Sequence, residues 1–182
     1  MSYSSEAPQV LIILKSAPAL LGAAGLTCQI TWPLLRRRRA MLLTQIGIGV
    51  FYGLQYFTIG ALSAAVIAWI GASQTVSTAI FPGGTAARRL GFIFLPLAVC
   101  ACILTWSGYV SLLALTACLL VMIARFQICT LRLRMLQLAA SPFGIAHDIA
   151  MSAWPALTGA VLSLVIASFA LGRELRAGTR CE

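Results

Sequence analysis

Charge, and acid above all, is what this chain has least of. Charged types make up 9% of its 182 residues, four residues are Asp or Glu, and there is a single histidine, His147. A soluble domain carries about a quarter charged residues, so a soluble globular domain is excluded. One histidine cannot build a usual zinc site, and the six cysteines include no C-x-x-C pair. They read as small apolar residues in or beside apolar segments. There is no phosphate-binding glycine loop, no H-E-x-x-H, and no serine or cysteine nucleophile with a histidine in register. With so little acid–base equipment the chain is not expected to be an enzyme, and no metal or cofactor is expected.

Apolar residues take the place of the missing charge. Hydrophobic types reach 60%, and the stretches 16–35, 40–87, 90–124 and 149–172 contain no Asp, Glu, Lys or Arg. About 20 apolar residues cross the roughly 30 Å hydrocarbon layer as a helix. As one helix, 40–87 would be about 72 Å long, so it must fold back into two spans. Stretch 90–124 folds back the same way, at WSGY (106–109). There Gly108 supplies the positive φ of a tight turn, and Trp106 and Tyr109 suit the headgroup zone. The expected spans are 16–35, 41–61, 62–82, 90–106, 109–124, 135–153 and 154–172. Continuous apolarity, without the alternation of a barrel strand, makes them helices. The N-terminal MSYSSEAPQVLIILK has no basic region before its apolar run and reads as a short tail leading into helix one.

Arginine sets the expected orientation. Arg36, Arg37, Arg38 and Arg39 follow helix one, and Arg88 and Arg89 follow helix three. Arg125, Arg132 and Arg134 lie between helices five and six, and Arg173, Arg176 and Arg180 follow helix seven. With seven spans all twelve arginines fall on one side and Lys15 alone on the other. The positive-inside rule puts the arginine side in the cytoplasm, with the N-terminus outside and the C-terminus inside. The net charge of +9 therefore belongs to topology and anionic-lipid contact, through Arg36–Arg39, Arg88, Arg89, Arg132 and Arg134, and not to nucleic acid.

The fold class is thus an all-α polytopic membrane protein of about seven transmembrane helices. It divides into an outer tail (1–9), a first three-helix half (10–87), a linker helix (88–107), a second three-helix half (108–173) and a cytoplasmic tail (174–182). The two halves run parallel, the plan of SWEET-type carriers. Shifting helix six by 92 residues lays QLAASPFGIAHDIAMSAW (137–154) over QIGIGVFYGLQYFTIGAL (45–62). Gln45 then meets Gln137, Phe51 meets Phe143, Ala61 meets Ala153, and Gln55 meets His147.

Polar residues inside apolar spans are functional candidates. A polar cavity or substrate site is expected from Gln55, Ser73, Gln74, His147 and Asp148; the alternative is that they link helices. His147 and Asp148 are successive helical residues and point about 100° apart, which argues against a simple His–Asp relay. Lys15 is a candidate partner for Asp148, and Pro142 is expected to kink helix six. Gly49, Gly53, Gly159 and Ser163 are helix-packing positions.

Three segments, QITWPLLRRRRAMLLTQ (29–45), GLQYFTIGALSAAV (53–66) and RMLQLAASPFGIAHDIAMSAWPALTGAV (134–161), resemble the YgjV family of bacterial inner-membrane proteins. In that family a helix begins near an arginine and carries a His-Asn-type pair thirteen residues on. Arg134, His147 and Asp148 match, with Asp in place of Asn. The family's asparagines in the third and last helices have no counterpart, since this chain has no Asn; Gly71 and Ala167 lie near those places. The resemblance implies a multi-pass protein of the bacterial inner membrane and carries no established activity. The leading functional expectation is a small-solute transporter or facilitator with a polar site between the halves. The alternative is a non-transporting scaffold, assembly factor or regulatory subunit. Expected partners are the bilayer, including anionic lipids, a small-molecule substrate, and a second copy or another membrane protein.

Overall fold

The computed structural model describes residues 6–81 and 85–176, with side chains over 17–81 and 91–176. Among these residues there are seven α-helices and no strand: α1 (Glu6–Thr31), α2 (Arg38–Thr58), α3 (Leu62–Ile80), α4 (Thr85–Leu104), α5 (Tyr109–Arg125), α6 (Thr130–Ala150) and α7 (Trp154–Arg176). Among them α2, α3 and α7 are long and apolar enough to cross a bilayer, and Gly91–Leu104 and α5 are shorter apolar helices. Large apolar side chains such as Leu20, Phe57, Ile103 and Phe169 are exposed, as lipid contact requires. The chain is an all-α membrane protein.

Helix ends follow local chemistry. Helix α1 stops at Thr31, short of the expected 35, and a single 3₁₀ turn, Trp32–Leu34, follows. Pro33 has no N–H to continue the ladder. Helix α6 starts at Thr130, not 135, and runs unbroken through Pro142 to Ala150. Helix α7 continues past 172 to Arg176, so Glu174 belongs to a helix and not to a tail. Gly108 has φ +99, as the turn before α5 needs.

The packing order is simple. Helices α1, α2 and α3 pack in sequence, as do α5, α6 and α7; α3 then packs on α5 and α7 on α1. Six helices therefore close into a ring. Helix α4 lies against α3 and α5. Close approach uses small residues: Gly49 faces Ala68 and Ala72 of α3, Gly53 faces the Trp69 indole, Gly159 faces Tyr52 and Gln29, and Ser163 accepts a hydrogen bond from Gln29 at 3.2 Å.

Helices α2 and α6 begin and end 92 residues apart, and the turns after them match bond for bond. Ile59 N–H donates to Gln55 O and Ala61 N–H to Tyr56 O; Met151 N–H donates to His147 O and Ala153 N–H to Asp148 O. Gly60 takes φ +80 in the first turn and Ser152 φ +51 in the second. Left-handed backbone costs a non-glycine residue about 1–2 kcal/mol. Ser152→Gly is therefore expected to raise stability by about 1 kcal/mol, read as a higher midpoint of thermal unfolding in detergent.

The two halves also exchange arginines. Arg38 on α2 donates to the carbonyls of Arg125 (2.8 Å) and Gln127 (3.3 Å). Arg134 on α6 donates to the carbonyls of Pro33 (2.6 Å) and Leu35 (2.8 Å). The four carbonyls occupy matching places, at the corner between the first and second helix of each half. Arg134 Nε also lies 3.2 Å from Glu174 Oε1, an ion pair without hydrogen-bond alignment. Only 2% of Arg134 is exposed, so it is an internal clamp and not a lipid-facing charge. Membrane insertion favours arginine at this end, but the open corner carbonyls compete for it. Arg36, Arg37, Arg39 and Arg132 are exposed. The side chains of Arg88 and Arg89 lie outside the described residues.

Candidate functional site

A partly open cavity of about 230 Å³ lies within the ring, room for several waters at their liquid volume of about 30 Å³. Both halves line it, and none of the described α4 side chains does. Much of the wall is alanine, from α3, α5, α6 and α7. Several lining residues lie in matching places 92 apart, among them Gln45 with Gln137, Gly49 with Ser141, and Tyr56 with Asp148.

The end near the Gly60 and Ser152 turns holds a phenol, a carboxyl group and an imidazole. Tyr56 Oη donates to Asp148 Oδ1 at 2.6 Å. The same oxygen lies 3.1 Å from His147 Nδ1. The Tyr56 and His147 rings meet edge-on, with centroids 5.2 Å apart. His147 and Asp148 are therefore in contact, contrary to the expectation from helical angles. Nδ1 is the ring nitrogen nearest the backbone, and rotation of both side chains closes the gap left between their Cβ directions. Both residues are buried, and charge-bearing groups at such a place need these partners. Asp148 finds Tyr56; the Lys15 side chain lies outside the described residues.

The other end holds a guanidinium. Arg125, the last residue of α5, reaches inward: Nε donates to Gln45 Oε1 at 2.9 Å and Nη1 to Gly71 O at 2.7 Å. Gln45 and Tyr56 are eleven residues apart on α2, so the two polar ends are separated by about 16 Å along the axis. Three buried polar atoms of the lining have no partner: Gln45 Nε2, Gln137 Oε1 and Tyr52 Oη. Such groups are costly unless something satisfies them.

Of the five residues expected to form the polar cavity, His147 and Asp148 line it. Gln55 is buried, but its amide nitrogen sits near Gly22 of α1 and Pro155 of α7, away from the lining. Gln74 is buried between α3 and α5, donating to Met122 O at 3.3 Å. Ser73 lies on the exposed face of α3 and donates to Trp69 O at 2.9 Å. That bond back to its own helix lets a serine face apolar surroundings, so its polarity does not draw it inward. Sequence reading missed Tyr52, Tyr56, Gln45, Gln137 and Arg125 as lining residues. The 92-residue register held the signal for three of them, since it pairs Gln45 with Gln137 and Tyr56 with Asp148. Among the described residues no three His, Cys, Asp or Glu side chains gather where a metal ion could be held.

No curated protein matches the chain, and no solved structure does. The family model that matches is described as a bacterial inner membrane protein and spans residues 16–177, thus all seven helices except the first residues of α1. With a cavity built from both halves of that span, the chain belongs to the Imp-YgjV family of bacterial inner membrane proteins.

Proposed function

We propose that the chain is a small-solute transporter or facilitator whose substrate occupies the cavity between the two halves. The observation that carries this reading is the lining. A largely apolar cavity, with alanine as its commonest wall residue, keeps a polar cluster at each end and leaves buried polar atoms unsatisfied. A mostly apolar pocket with a few placed polar groups is what a small-molecule site requires. In this reading the halves arose by duplication and all seven helices cross the membrane. The arginine end is cytoplasmic, with the N-terminus outside and the C-terminus inside. His147 and Asp148 face the outer end of the path.

The test is flux. Purified protein is reconstituted in liposomes, and uptake is followed for a panel of amino acids, short carboxylates, monosaccharides and neutral amides. At least one solute is expected to enter faster than in protein-free vesicles, and His147→Ala is expected to reduce that rate at least tenfold. If no solute moves and a stoichiometric membrane protein co-purifies, the chain is a non-transporting partner. If flux persists unchanged in His147→Ala, the outer cluster is not on the path.

A further inference from the structure

We infer that the cavity holds a small monovalent carboxylate, with its anionic group on Arg125 and Gln45. This rests on the solute-binding reading of the cavity and names the substrate class.

Arg125 is 6% exposed. A guanidinium carries its charge at any physiological pH, and an isolated buried charge is strongly unfavourable. Every other buried charged group described has an ionisable partner: Arg134 has Glu174, and His147 and Asp148 have each other. Among the described residues Arg125 has no carboxylate within 4 Å. Its protein acceptors are neutral, the Gln45 amide oxygen and the Gly71 carbonyl, and they use Nε and Nη1. Among the described residues the Nη2 amino group donates to nothing. Gln45 turns its oxygen to Arg125, which leaves its Nε2 as a second donor, buried and without a partner.

Two unused donors beside an uncompensated positive charge are what an oxyanion satisfies. Charge-assisted bonds of that kind are the stronger class of hydrogen bond. The surrounding wall comes from Ala68, Ala114, Ala117 and Val121. These four side chains are apolar, so a short aliphatic tail fits against them. One guanidinium balances one negative charge.

The experiment is a binding titration by thermal shift and calorimetry on detergent-purified protein. The probes are sodium butyrate, its neutral isostere butyramide, and sodium chloride at matched ionic strength. A ligand that binds the folded state raises its midpoint by mass action. Butyrate is expected to raise it, and butyramide and chloride to leave it unchanged. Arg125→Gln is expected to abolish the butyrate response. Because that change also removes bonds to α2 and α3, Gln45→Glu is the sharper variant. It places a carboxylate on the guanidinium from within the protein, so it is expected to fold with an unchanged or higher midpoint. Its affinity for butyrate is expected to fall more than tenfold.

Equal shifts with butyrate and butyramide would overturn the anion assignment and leave a solute cavity standing. A chloride response as large as that of butyrate would overturn the carboxylate. Undiminished butyrate binding in Gln45→Glu would remove Arg125 from the site. Silence with all three probes would also sink the carboxylate proposal, while flux of neutral solutes judges transport separately.

Discussion

Arg134→Ala is expected to lower the stability of the folded protein by about 3–5 kcal/mol, the usual cost of removing one partner from a buried charged cluster. The guanidinium serves three groups at once: the carbonyls of Pro33 and Leu35 and the carboxylate of Glu174. Its loss leaves two carbonyls without donors at the corner between α1 and α2, and a carboxylate without its cation. Arg134→Lys restores the charge but not the fork, since an ammonium presents a point charge where two carbonyls need a planar pair of N–H groups. It is expected to recover part of the loss. Arg38 makes the corresponding bonds from the other half but is only half-buried, so Arg38→Ala should cost distinctly less. Unfolding in detergent of Arg134→Ala, Glu174→Gln and the double variant checks the assignment. Purely additive losses would mean that the ion pair contributes nothing.

Gly144→Leu is expected to leave folding intact and to stop solute entry. Gly144 lines the cavity, and a Cβ added there meets nothing within 4 Å. Replacing glycine inside a helix is worth about 0.5–1 kcal/mol in favour of the folded state. A leucine side chain then takes up a large share of the cavity. Flux is expected to fall at least tenfold with the unfolding midpoint unchanged or raised. Gly53→Leu is the contrast, since its side chain would collide with the Trp69 indole; there stability falls and the cavity is untouched. Full flux in Gly144→Leu would move the solute path out of the ring and sink the transport reading as drawn.

Most of the fold was legible in the sequence because lipid imposes a coarse rule. Charge-free length, read against bilayer thickness, counts helices, and glycine at 108 marks one of the turns. The ends were less legible. At α1 the apolar run continues through Pro33, and only the lost N–H stops the helix. At α7 the charges of Arg173, Glu174 and Arg176 look like a tail, and only the position of Arg134 explains why the helix carries on. The site was half legible. His147 and Asp148 stand out as rare ionisable residues in an apolar helix. Ser73 misled because a hydroxyl can satisfy itself on its own backbone. Arg125 was hidden by the reasoning that located the other arginines: a rule that counts positive charges at one end cannot tell an arginine that points at lipid headgroups from one that turns inward. Tyr56 was visible opposite Asp148 in the same register that paired Gln55 with His147, but phenols are common in apolar helices and carry little signal alone.

The arginine exchange between the halves has a mechanical side. Six guanidinium hydrogen bonds, from Arg38, Arg125 and Arg134, run from one half to the other near the same end of the ring. At the opposite end the cross-ties are Tyr56 to Asp148 and Ser63 to Ser111. The molecule is built like a clothes peg, with more hydrogen bonds between its halves at the arginine end than at the jaws. In the transport proposed here, parting the halves would break fewer hydrogen bonds where Tyr56 meets Asp148 than at the arginine end.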